Sequence, residues 1–101
     1  MERSPTRRVT ILLSPAAGGG AHLKILQEFR KHGVVNAFAF RTIAAITARG
    51  DLATSRLADV PPELPVVIVW VDAAAVVERV LPHIRPLVTE GVVTVDETTL
   101  E

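Results

Sequence analysis

Apolar and polar positions along this chain switch between two rhythms. Arg8–Leu13 (RVTILL) reads as a first strand, followed by a Pro- and Gly-rich loop, SPAAGGG, over Ser14–Gly20. Ala21–His32 changes to helical spacing: Leu23, Ile25, Leu26 and Phe29 gather on one side, Lys24, Gln27, Glu28 and Lys31 on the other. Gly33 is the natural stop of that helix. Val34–Ile46 (VVNAFAFRTIAAI) returns to strand formers and is expected to pair from about Asn36 onward. Leu64–Val71 is nearly all apolar and rich in valine and isoleucine, a buried strand. Asp72 then stands where a helix N-cap is wanted, and Val76, Val80, Ile84 and Val88 recur every four residues, flanked by Val77, Leu81 and Leu87. Gly91 is expected to end this helix as a residue tolerant of positive φ, with VVTV opening a last strand.

Between the second and third strands lies Thr47–Pro62, TARGDLATSRLADVPP. It is polar, basic in its middle and ends in a proline pair. A hairpin loop is usually 2–5 residues, and longer connections in compact domains often carry function. The order is therefore β-α-β, long connection, β-α-β. That order predicts an α+β fold, a ferredoxin-like βαββαβ sandwich with a four-stranded antiparallel sheet, as one domain over residues 1–101 with Met1–Thr6 frayed.

Such a sheet carries both helices on one face and leaves the other bare. A bare face in water should alternate with polar residues, and these strands do not. In VVIVWV, Val67, Val69 and Val71 point one way and Val66, Ile68 and Trp70 the other; Phe38 and Phe40 oppose Ala37 and Ala39. Both faces call for burial, which predicts a homo-oligomer.

Composition narrows the partners. Eleven basic residues balance eleven acidic ones, so charge gives no case for nucleic acid or a membrane surface. The aromatic residues Phe29, Phe38, Phe40 and Trp70 are not interleaved with basic ones, which argues against a base-stacking platform. Cysteine is absent, removing disulfides, thiolate catalysis and cysteine-ligated zinc. No apolar run is long enough for a secretory signal or a membrane span, so a cytoplasmic location without membrane insertion is expected.

SPAAGGG joins a strand to a helix, where backbone N–H groups can cradle an anion, but it lacks the lysine and hydroxyl of a phosphate loop and reads as a connector. Arg41, Arg49 and Arg56, with Thr47 and Thr54 beside them, begin or lie within the long connection; guanidinium forks suit phosphate or carboxylate groups. His22, His32 and His83 are scattered, with no metal-ligand spacing, so no metal is expected. Asp96 and Glu97 are neighbours in a strand and face opposite ways, unsuited to paired carboxylate catalysis. Gly33–Arg41, GVVNAFAFR, is similar to the acylphosphatase loop G-x-V-Q-G-V-x-F-R, but it follows a helix and becomes a strand instead of leading into the first helix.

From Arg41 onward the chain resembles the PII-like proteins catalogued as domain of unknown function 190. The specific parts are LPVVIVWVD (Leu64–Asp72), the Leu81–Pro82 pair and EGVVTVDE (Glu90–Glu97). Thr42, Ala45 and Thr47 replace the family's glycines, Val69 replaces a strand glutamate, and Pro86 is an added helix proline. The resemblance implies a non-enzymatic, ferredoxin-like homotrimer related to PII signalling proteins. It further implies small effectors, often adenine nucleotides, in clefts between subunits, and contact with a transporter or enzyme partner through the 47–62 connection. PII proteins hold phosphates partly with a glycine- and lysine-rich loop between the last helix and strand; here that connection is Thr89–Gly91, without lysine. On this reading no bound cofactor is required, Arg41, Thr47, Arg49, Thr54 and Arg56 are the candidate ligand contacts, and the alternatives are an acylphosphatase-type hydrolase or a ligand-free scaffold.

Overall fold

The computed structural model describes residues 5–46, 50, 52–54 and 64–100. Its strands are β1 (Thr6–Leu13), β2 (Ala37–Arg41), β3 (Ala44–Ile46), β4 (Leu52–Thr54), β5 (Val66–Ala73) and β6 (Gly91–Thr98). Two helices, α1 (Ala21–Lys31) and α2 (Ala74–Ile84), connect β1 to β2 and β5 to β6. The main sheet has the order β2-β5-β1-β6 with every neighbouring pair antiparallel. This is the ferredoxin-like βαββαβ arrangement, with β3 and β4 paired as a separate two-stranded ribbon.

Alternation sorts the sheet into two faces. Val9, Ile11 and Leu13 of β1 and Ile68 and Trp70 of β5 are buried against Ile25 and Phe29 of α1 and Val77, Val80, Leu81 and Ile84 of α2. The rings of Phe29 and Trp70 lie 4.8 Å apart at 59°, a tilted aromatic pair at the centre of the core. The indole Nε1–H of Trp70 donates to Asp72 Oδ2 at 3.3 Å, satisfying a polar group in an otherwise apolar layer.

Several boundaries differ from the sequence expectation, each for a physical reason. β1 takes in Thr6, which is buried and paired with Ala73 and Thr98, so the expected fraying does not reach it. The strand expected to run unbroken to Ile46 stops at Arg41: Thr42 still donates its N–H and hydroxyl to the Pro65 carbonyl, but Pro65 has no N–H to donate back, so the ladder ends there. The 47–62 connection is not loop throughout: its Leu52–Thr54 pairs with Ala44–Ile46. Leu23 is exposed, since two helical residues before Ile25 is a rotation of 200°, toward the far side.

At the other helix, Asp72 stays in β5 and is not the N-cap. That position falls to Ala73, whose own N–H donates to Asp72 Oδ1 at 2.8 Å. α2 ends at Ile84, well before Gly91, and tightens into a 3-10 turn over Arg85–Leu87; Pro86 has no N–H to continue the α ladder. Gly91 does not adopt positive φ, whereas Gly33, after α1, does at 78°. What Gly91 supplies is close approach: a Cβ there would collide with the Leu12 carbonyl oxygen.

Candidate functional site

One end of the sheet gathers the connections. The cross-strand row Arg41–Val66–Leu13–Gly91 closes it, with the 14–20 loop, the β3–β4 ribbon and the short Thr89–Glu90 link all leaving from there. The Ser14 N–H donates to the Glu90 carbonyl at 2.9 Å, tying the first loop to the link before β6. The Ser14 hydroxyl accepts from the Ala16 N–H at 3.0 Å, so SPAAGGG begins as a capped 3-10 turn over Pro15–Ala17. Across the sheet, the Thr42 hydroxyl donates to the Pro65 carbonyl at 2.7 Å and its N–H approaches the same oxygen at 3.4 Å. These two hydrogen bonds from one residue hold Thr42 at the junction between the sheet and the ribbon.

Of the five expected contact residues, Arg41 sits at this end, exposed, as the last residue of β2. Thr54 closes β4 and pairs with Ala44, three residues beyond Arg41, so strand geometry brings both to the base of the ribbon. Thr47, Arg49 and Arg56 lie outside the described residues. Sequence reading passed over Thr42, whose hydroxyl orders the ribbon base; its partner is 23 residues away, so no local spacing announces it.

The face of the sheet opposite the helices is the larger feature. Phe40, Val67, Leu12 and Val92 form one cross-strand row on it, and Phe38, Val69, Thr10 and Thr94 the next. Phe38, Phe40 and Val92 are each more than half exposed and Leu12 nearly so. The following row turns polar, with Arg8 Nη2 3.3 Å from Asp96 Oδ2. Leu12 could have been read from RVTILL, since strand parity places it with Arg8 and Thr10 and away from Ile11 and Leu13.

An open cleft of about 860 Å³ lies at the opposite sheet end, lined by residues that include Thr6, Val71, Asp72, Glu97 and Thr98. His32 and His83 stack with ring centroids 4.4 Å apart, and His32 Nε2 lies 3.7 Å from Glu28 Oε1 at i,i+4; two of the three histidines expected to be scattered thus meet between the helices. Among the described residues no group of three or more His, Asp or Glu is placed to share a metal ion. No helix there is long and apolar enough to cross a membrane. The GVVNAFAFR segment follows α1 and leads into β2, and is not a strand-to-helix phosphate loop.

A profile of domain of unknown function 190, described as "Uncharacterized ACR", matches residues 14–100. The chain belongs to that family. Solved structures of PII-like proteins share the fold of this family member. CPII, a nitrogen regulatory PII-like protein from Thiomonas intermedia K12 bound to ADP, AMP and bicarbonate, superposes with TM-score 0.66 at 16% identity, covering 95% of this chain and 88% of CPII. GlnK from B. subtilis, complexed with ATP, gives TM-score 0.63 at 17% identity over 97% of this chain and 85% of GlnK. A second GlnK structure gives 0.61 at 21% identity over 95% and 87%. At these identities the likeness carries the PII-like fold of the DUF190 chain.

Proposed function

We propose that this protein is a PII-like regulatory module of the cytoplasm, a homotrimer without catalysis, that binds a small anionic effector in clefts between subunits. Adenine nucleotides are the leading effector class. Arg41, with Thr47, Arg49, Thr54 and Arg56, would supply the contacts, and the 47–62 connection would engage a transporter or enzyme. The observation that carries this reading is the uncovered apolar face around Phe40, Val67, Leu12 and Val92. Fully burying one such side chain contributes about 1.5–3 kcal/mol, so copies of the sheet have a strong reason to meet. Support for the effector comes from Arg41 at the gathered sheet end and from the ADP, AMP and bicarbonate bound to CPII, whose fold is the same.

Light scattering at micromolar protein tests the assembly: a mass of three chains is expected, and a one-chain mass with the fold intact sinks the reading. A thermal-shift panel of ATP, ADP and AMP, each with and without bicarbonate, tests the effector. A ligand at 100 times its Kd stabilises by about 2.7 kcal/mol, and Arg41→Ala should remove that gain. A flat panel on a trimeric protein would favour a ligand-free scaffold. Acyl-phosphate hydrolysis that depends on Arg41 would favour the hydrolase.

A further inference from the structure

We draw no further inference here: the strongest candidate, the open cleft of about 860 Å³ at the sheet end opposite Arg41, carries none, since the Asp72 carboxylate in its wall is already taken up by the Trp70 indole and the Ala73 N–H, and no buried side-chain polar atom among the described residues is left without a partner to point to a ligand.

Discussion

Replacing Gly91 by alanine tests how the last strand is seated. A Cβ built on Gly91 falls inside contact distance of the Leu12 carbonyl oxygen, 3.1 Å from Val88 Cγ1 and 3.3 Å from the Leu12 carbonyl carbon. The valine could turn away, but the carbonyl belongs to β1, a central strand whose Leu12 is paired with Val67 on one side and Val92 on the other. The obstacle is thus backbone held from both flanks, and the start of β6 has to give. Forcing one extra carbon into a packed site costs about 1–3 kcal/mol. For a domain of about 100 residues each kcal/mol is worth about 4–8 °C, so Tm should fall by about 5–20 °C. Trp70, the single tryptophan and fully buried, reports the melt by fluorescence. Protomer concentration must be held fixed, because assembly would make Tm depend on it.

Asparagine distinguishes close approach from a helix stop. At a C′ position with positive φ, asparagine is the best-tolerated replacement for glycine. Gly33 is such a position, with φ 78° and open space around it, so Gly33→Asn should melt above Gly33→Ala. Gly91 has ordinary φ and no room, so Gly91→Asn should be at least as damaging as Gly91→Ala. A Gly91→Ala protein melting within about 2 °C of wild type, or an asparagine that rescues it, would refute the reasoning.

Three further outcomes are expected. Thr42→Val removes the 2.7 Å hydroxyl bond to Pro65 and should cost about 0.5–1.5 kcal/mol, with faster hydrogen exchange at the Ala44–Ile46 amides; unchanged exchange would remove Thr42 from the ribbon base. His83→Ala ends the stack with His32 and should lose about 0.5–1.5 kcal/mol in urea melts, while His83→Phe keeps most of it; equal losses would deny the stack any part. Asp96→Asn breaks an ion pair whose two side chains are half exposed, so the change should stay within about 1 kcal/mol and fade in 1 M salt; a larger, salt-insensitive loss would contradict that account.

What could be read in advance, and what could not, divides by range. Period-two alternation is local, so the sequence assigns Val66, Ile68 and Trp70 to one face and Val67 and Val69 to the other, and the full burial of Ile68 and Trp70 agrees. The stop of α1 at Gly33 was local too. Asp72 was misjudged because its capping chemistry is real but its backbone is claimed elsewhere: it pairs with Arg7, and the Pro5 carbonyl takes the N–H of Ala74, so the strand runs on to Ala73. Pro86 was visible in the sequence, and only its weight against the four-residue rhythm of Val80, Ile84 and Val88 was misread.

The ribbon is the instructive case. VVNAFAFRTIAAI contains no glycine or proline, and nothing in its own pattern says that pairing should change partners at Thr42. Thr42 still gives its N–H and its hydroxyl to the carbonyl of Pro65, just before β5, but Pro65 has no N–H to return the rung, and the ladder ends there. Past that point Ala44–Ile46 pairs with Leu52–Thr54. Arg41 is therefore placed by the same contact that releases the ribbon: it is the last residue the sheet holds in register, opposite Val66. A hydroxyl at position 42 thus ties the start of the ribbon to the residue just before β5. If the proposed effector binds beside Arg41, Thr42→Val should weaken it without touching it, by loosening the strand end that aims the guanidinium. An unchanged nucleotide affinity in that variant, with the ribbon loosened by exchange, would show that the two are uncoupled.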